Sequence, residues 1–129
     1  MEKQTIQTDK APDAIGTYSQ AVSQNGLVFL SGQIGLDPST MKLIDEDFVS
    51  EAKQAFRNLS EVALASGATL DAAVKINIYL RNLDNFQAVN EIMLSIFKQP
   101  YPARAVIGVS SLPKNANIEV DAILCLANR

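Results

Sequence analysis

The fold is decided by the segment Ile118-Glu119-Val120-Asp121-Ala122-Ile123-Leu124-Cys125-Leu126, in which every second residue is apolar. Side chains of a β-strand point alternately to its two faces, so this pattern predicts a strand with one continuous apolar face. The segment Val74-Lys75-Ile76-Asn77-Ile78-Tyr79-Leu80-Arg81 repeats the alternation. Two such strands need an apolar layer to cover them, which predicts an architecture of two packed layers.

Two helical segments supply the covering layer. Apolar residues recur at helical spacing after Asp47, the predicted N-cap, and the pattern stops at Gly67. A second pattern of the same kind begins at Asp84, where Asp84 and Gln87 have the spacing of a capping box, and it closes at Pro100. Both helices are apolar on one side, so we expect them to lie together on the apolar face of the sheet.

Shorter strands are predicted over residues 19–23, 27–33 and 104–109, with Asn25-Gly26 as a two-residue hairpin turn between the first two. The order of elements is therefore strands, helix, strand, helix, strands. This order predicts a two-layer α+β fold, with a mixed, mainly antiparallel sheet and two helices on one face. We expect residues 1–129 to form a single domain.

The other face of the predicted sheet has a mixed character. It is too apolar for an ordinary solvent-facing surface and too polar for a core, which is typical of an interface between subunits, so we predict a homo-oligomer. A half-solvated antiparallel sheet is the alternative. The side chains assigned to this face are Tyr79, Ile123, Cys125, Val106, Gly108, Lys75, Asn77, Asp121 and Arg104.

The composition excludes several classes of function. The chain has no histidine, which removes His-based catalytic triads and the usual zinc sites, so no metal is expected. The formal net charge of −3 disfavours nucleic acid as a partner, because that affinity depends on Lys and Arg. No apolar run is long enough to cross a bilayer and residues 1–5 lack a secretory signal, so no membrane association is expected. With one cysteine, Cys125, expected to be buried, a reducing, cytoplasmic location fits best.

An arginine and a glutamate flank the loop between the last two predicted strands. Arg104 interrupts the apolar run of residues 103–109, and Glu119 stands near the start of the following strand. A guanidinium can bind a carboxylate through two parallel hydrogen bonds, and a glutamate can orient or deprotonate a water. The two residue types together suit chemistry on a small organic acid, although a surface salt bridge is an equally good explanation of Arg104.

Three further positions are candidates for a ligand site. Asn90 lies at the edge of the apolar stripe of the second helix, where it either faces a cleft or bonds a nearby loop. Ser31-Gly32 ends an apolar strand, where a glycine allows a ligand or a bulge close to the backbone. Tyr18 either closes a pocket or packs within its own loop.

Five separated motifs follow one another over nearly the whole chain. They are Ala11-Pro12 with Ile15-Gly16-Thr17-Tyr18-Ser19-Gln20-Ala21, Ser31-Gly32-Gln33-Ile34-Gly35-Leu36-Asp37-Pro38, Asn85-Phe86-Gln87-Ala88-Val89-Asn90-Glu91, Pro102-Ala103-Arg104, and Leu112-Pro113-Lys114 with Ile118-Glu119-Val120-Asp121-Ala122. In this order they resemble the motifs of the RidA/YjgF family. The resemblance implies a chorismate-mutase-like α+β fold that assembles as a homotrimeric barrel with clefts between subunits. It also implies the hydrolysis of reactive 2-imino acids, and of the enamines in equilibrium with them, to 2-keto acids and ammonia without a metal or cofactor.

Carried over by the resemblance, Arg104 binds the substrate carboxylate, Glu119 directs the water and Tyr18 lines the pocket, so these three are the expected catalytic residues. Ser31, Gly32 and Asn90 match the family's remaining substrate-binding positions.

The chain departs from the pattern at Thr17, where many members have proline, and at Val106, where many have cysteine. Two alternatives to the deaminase remain open. One is a non-catalytic small-acid sensor or partner-binding trimer, and the other is an endoribonuclease or translation inhibitor.

Overall fold

A six-stranded sheet carries two α-helices on one face in the computed structural model, which describes residues 2–126. The predicted α+β class is therefore confirmed. The strands are β1 (Gln4–Ile6), β2 (Ala21–Gln24), β3 (Leu27–Gln33), β4 (Ala73–Leu80), β5 (Ala103–Gly108) and β6 (Ile118–Cys125), and the α-helices are α1 (Phe48–Ala65) and α2 (Phe86–Ile96).

The sheet has the strand order β1-β2-β3-β6-β4-β5. Only β4 and β5 run parallel, and every other neighbouring pair is antiparallel. The hairpin between β2 and β3 turns at Asn25 and Gly26, whose positive φ angles of 54° and 80° are those of a type I′ turn, as predicted. The last strand thus lies in the middle of the sheet, and β4 separates it from β5.

The hydrophobic core lies between the helices and one face of the sheet. Phe56, Leu59 and Val62 of α1 are fully buried against Ile78 of β4 and Val120 of β6, which are paired across the sheet. Burial of each large apolar side chain contributes about 1.5–3 kcal/mol, so this one-sided layer fixes which face of each strand points inward.

The predicted start of α1 is confirmed, and the predicted start of α2 is not. The Asp47 carboxylate accepts a hydrogen bond from the Ser50 backbone N–H at 2.7 Å, which confirms the predicted N-cap of α1. The capping box predicted at Asp84 is wrong, because Asn82 caps a short 3-10 turn (Leu83–Asn85) that precedes α2. The cap residue Asn85 makes no side-chain capping bond, so packing rather than capping sets the start of α2.

A bulge in β4 changes which residues face the core. The pairing with β6 shifts between Ala73 and Lys75, so Ala73 turns inward and Val74, which the alternation assigned to the apolar face, is 48% exposed. A bulge adds one residue to a strand and reverses the faces of the residues before it.

The face away from the helices also differs in part from the prediction. Tyr79, Asp121 and Ile123 lie on it as expected, and Cys125 is exposed rather than buried. Arg104, Val106 and Gly108 lie on the opposite, helix-covered face, because they pair in register with the buried residues Ile76, Ile78 and Leu80 of β4. Alternation alone could not assign β5 to a face, since a shift of one residue exchanges the two faces.

Buried polar side chains attach α1 to the loop after β3. The Asn58 amide donates to the backbone oxygens of Ile34 and Leu36, at 3.0 and 2.8 Å, and accepts from Gln54. These bonds satisfy loop carbonyls that would otherwise be buried without partners. Over residues 2–126, no helix combines the length and apolar character needed to cross a membrane.

Candidate active site

Four of the predicted site residues line one open cavity of about 650 Å³: Tyr18, Ser31, Gly32 and Glu119. They come from three places in the fold. Ser31 and Gly32 end β3, Glu119 begins β6, and Tyr18 lies in the loop before β2. The cavity forms because β3 and β6 are neighbours, so the end of one strand lies beside the start of the other.

The Glu119 carboxylate rests directly on the backbone of Gly32. A Cβ atom added to Gly32 would stand 1.9 Å from Glu119 Oε2 and 2.8 Å from its Cδ, well inside van der Waals contact. The backbone of Gly32 has no positive φ, so the residue is required for space and not for conformational freedom. Any side chain at this position would displace the carboxylate.

The environment of Glu119 favours its protonated form. Partial burial raises the pKa of the Glu119 carboxyl above its ordinary value, and the negative charge of Asp121 on the same face of β6 raises it further. Across residues 2–126 no donor forms a hydrogen bond with this carboxylate. A carboxylate with free oxygen atoms and a raised pKa is suited to accept and return a proton.

Ser31 stabilises the wall of the cavity through hydrogen bonds to the neighbouring loop. Its hydroxyl donates to the Ser19 backbone oxygen and its backbone N–H donates to the Gln20 oxygen at 2.9 Å. The buried Gln20 side chain in turn donates to Pro12 O and accepts from the Thr8 N–H. These bonds fix both sides of the loop that carries Tyr18, and they leave Ser31 able to accept from a ligand but not to donate to it.

Lys114 is a cavity residue that the sequence reasoning did not assign. It lines the same cavity as Glu119 and adopts a left-handed backbone conformation with φ at 55°. A non-glycine residue in this region is uncommon and marks a constrained turn. The sequence offered one indication of a role for Lys114, which is its place in the Leu112-Pro113-Lys114 motif. Its proximity to Glu119 could not be predicted, because it depends on how the loop folds back on β6.

Arg104 and Asn90 lie elsewhere, in a second open cavity of about 500 Å³. Its wall combines residues of α2 with residues just before and within β5. Most of the other lining side chains are apolar: Met93, Leu94, Phe97, Tyr101 and Pro102. The second cavity therefore presents one cation among apolar groups.

The Arg104 guanidinium is held by α2 and has no acidic partner among residues 2–126. Its Nη1 donates to Asn90 Oδ1 and lies 3.7 Å from Met93 Sδ, while Cζ stands 5.3 Å from the centroid of the Phe86 ring. The one ion pair found over residues 2–126 joins Lys98 and Asp71. The charge of Arg104 is thus uncompensated within the described part of the chain.

Within one chain, Arg104 and Glu119 cannot reach the same small molecule. Arg104 is paired with Ile76 on the helix-covered face, and Glu119 is paired with Tyr79 on the opposite face. Their backbones lie three residues apart along β4 and two strands apart, which is about 10 Å in each direction. Among residues 2–126 no group of three or more His, Cys, Asp or Glu side chains is placed to hold a metal ion.

Comparison with known proteins places the chain in a family. The family model described as Endoribonuclease L-PSP matches residues 8–125. The chain belongs to this family. It is the RidA/YjgF family that the five motifs resemble, so the family prediction is confirmed.

Proteins similar to this RidA/YjgF chain include a deaminase and two proteins with crystal structures. It is 44% identical, over 96% of its own length and 97% of the relative's, to the 2-iminobutanoate/2-iminopropanoate deaminase of Dermatophagoides farinae. The crystal structure of RidA from an Antarctic Psychrobacter superposes with a TM-score of 0.91 at 46% identity, covering 95% of this chain and 99% of that one. TdcF of E. coli, solved with bound serine, gives a TM-score of 0.89 at 30% identity and covers 96% and 99% of the two chains.

Proposed function

We propose that this RidA/YjgF protein hydrolyses reactive 2-imino acids, such as 2-iminopropanoate and 2-iminobutanoate, to 2-keto acids and ammonia. The observation that carries the proposal is a pair of ionisable groups that lack partners among residues 2–126: an arginine with no acidic partner and a glutamate with no hydrogen-bond donor. A near full-length relative named as this deaminase supports the same reaction. Enamines such as 2-aminoacrylate enter through their equilibrium with the imine.

The active site forms between two copies of the chain. Arg104 and Glu119 occupy opposite faces of one sheet, so a substrate that contacts both needs them from different subunits. The mixed side chains on the face away from the helices supply the surface for such an assembly. A homotrimer of the chorismate-mutase-like type, with its sheets forming a central barrel and clefts between subunits, meets both requirements.

Arg104 binds the substrate carboxylate. The guanidinium is fixed on α2 by Asn90 and Phe86, and no acidic side chain of the described residues neutralises it. A bidentate bond to the carboxylate orients the substrate as well as holding it, which is the main requirement for a reaction whose electrophile is already activated. The serine bound to TdcF carries a carboxylate of the same kind.

Glu119 directs the water and moves protons. The protonated imine is electrophilic at C2, so water adds there while the Glu119 carboxylate takes a proton from it, and the C=N electrons move to nitrogen. The proton then passes to the nitrogen of the carbinolamine. The C–N bond breaks as the Glu119 carboxylate takes the hydroxyl proton and the C=O bond forms. Glu119 then passes that proton to the released ammonia, which leaves as ammonium and regenerates the carboxylate. No step needs a metal or an organic cofactor.

Tyr18, Ser31 and Gly32 shape the cavity around this chemistry. The Tyr18 ring is half exposed at the rim and is placed to exclude bulk water once a substrate is bound. The Ser31 hydroxyl donates to the Ser19 oxygen, so its own oxygen can accept a hydrogen bond from the substrate, and Gly32 lets the Glu119 carboxylate lie against the strand.

The direct test is ammonia release from freshly generated 2-iminopropanoate, measured against the rate in buffer alone. Arg104→Ala should lower kcat/KM about ten- to a hundredfold, since it removes a charge-assisted bidentate contact. Glu119→Gln should also slow the reaction. A rate equal to that of buffer with unmodified, assembled protein would exclude the deaminase and leave a sensor. Cleavage of RNA by the parent but not by Arg104→Ala would instead support a nuclease.

A further inference from the structure

We propose that Phe86 and Asn90 are positioning residues for Arg104, and that Asn90 acts through the guanidinium and not by contacting the substrate. The inference rests on the proposed function of Arg104 as the carboxylate anchor. It changes the role expected of Asn90, whose resemblance to family positions implied direct substrate binding, and it assigns a role to Phe86, which had none.

The three partners of the guanidinium form one stripe on α2. Residues 86, 90 and 93 are spaced by four and three, so they stack along one face of the helix. Phe86 offers its ring to the cation, Asn90 accepts from Nη1, and Met93 places its sulfur beside the same nitrogen. The arginine side chain of β5 is thereby laid against a rigid helix, which limits its rotamers.

This arrangement leaves part of the guanidinium free. An arginine has five N–H donors in a planar fork, and the α2 contacts engage Nη1. The Nε and Nη2 hydrogens remain available as the side-on pair that matches a carboxylate. Because the Asn90 oxygen accepts from Nη1, the amide is oriented by its bond to the guanidinium.

The amide at position 90 provides a hydrogen bond without a charge. A carboxylate of the same shape would form an ion pair with Arg104 and compete with the incoming anion. An apolar residue would leave Nη1 unpaired and the side chain freer to rotate. Asparagine therefore holds the guanidinium while keeping its full charge for the ligand, which is the physical reason we assign this residue to positioning.

The decisive variant is Asn90→Asp, assayed for KM and kcat with 2-iminopropanoate and for Kd with pyruvate as a non-reacting carboxylate. KM and Kd should both rise about ten- to a hundredfold, as expected for competition with a charge-assisted bond, while kcat at saturation stays near that of the parent. Phe86→Leu keeps an apolar side chain without an aromatic face, and should raise KM about two- to fivefold. Gln87→Glu adds the same charge to α2 in the same cavity, and should raise KM much less than Asn90→Asp.

The other possible outcomes distinguish an error in the role of Arg104 as anchor from an error in the role of Asn90 as a positioning residue. If Arg104→Ala keeps full activity, the anchor itself is wrong. If Arg104→Ala is inactive but Asn90→Asp has the KM of the parent, the positioning role is wrong and the anchor stands. A fall in kcat with unchanged KM would place Asn90 at the reacting atoms. If Gln87→Glu raised KM as much as Asn90→Asp does, the effect would come from negative charge anywhere near the cavity, and the positioning role would be wrong. Should Asn90→Asp not fold, Asn90→Ala replaces it, again with a raised KM expected.

Discussion

Gly32→Ala is the sharpest test of the Glu119 site, because it should remove activity without harming the fold. The added Cβ would lie 1.9 Å from Glu119 Oε2, whereas an ordinary contact needs about 3.4 Å, so the carboxylate must move by about 1.5 Å. The nearest atoms belong to the far end of a flexible side chain and not to backbone. The carboxylate can therefore rotate away at little cost in stability.

The expected loss of activity is on the order of a hundredfold in kcat, because a misplacement of about 1 Å in a catalytic group has effects of that size. The free energy of unfolding should change by less than about 1 kcal/mol, since alanine at an ordinary φ also reduces the entropy of the unfolded chain. Ammonia release from 2-iminopropanoate gives kcat, and urea unfolding gives the stability.

Gly67→Ala is the matched control with the opposite pattern. Gly67 follows α1 with φ at +91°, and in the part of the chain that the structure describes no atom lies within 4 Å of the position that a Cβ would take. Alanine there is strained by the backbone and should lower the free energy of unfolding by about 1 kcal/mol, with kcat unchanged.

A double variant separates the proposed cause from a general disturbance of the cavity. If Gly32→Ala acts by displacing the Glu119 carboxylate, adding it to Glu119→Gln should cost little further activity. Full activity of Gly32→Ala, or an additive loss in the double variant, would refute the reasoning.

Three other predictions concern pH and stability. Because the pKa of Glu119 is raised in the folded protein, ionising this carboxyl lowers the free energy of unfolding as pH rises above its ordinary pKa of 4.5. Urea titrations should therefore show Glu119→Gln to be more stable than the parent at pH 8, and the difference should vanish at low pH. Asp121→Asn removes the charge while its amide oxygen can still accept from Asn77 (2.8 Å) and its amide nitrogen can donate to the Tyr79 oxygen, which now donates to Asp121 at 3.1 Å. The acidic limb of kcat/KM should therefore move to lower pH, and an unmoved limb would contradict this. Asn58→Ala leaves buried loop carbonyls without donors and should lower the free energy of unfolding by about 2–4 kcal/mol in urea, whereas a loss below about 1 kcal/mol would show that water replaces the amide.

The elements that were predicted well are those whose signals are local. The Asp47 cap, the Asn25-Gly26 turn and the alternation of β6 depend on a few neighbouring residues, and the structure shows all three. The strand β1 (Gln4–Ile6) was missed because three residues carry too little periodicity to be recognised. The bulge at Val74 was missed because it arises from pairing with another strand.

The amino-acid sequence is enough to identify the chemical groups: an arginine, a glutamate, a tyrosine and a serine-glycine pair, with no histidine to replace them. It is also enough to predict that one face of the sheet is apolar, because alternation is a property of the chain alone. The placement of Arg104 and Glu119 on opposite faces could not be predicted in this way, since strand register and the position of β4 between β5 and β6 depend on long-range pairing. The contact of Glu119 with Gly32 and the contact of Arg104 with α2 follow from that pairing, because each joins elements far apart in the chain.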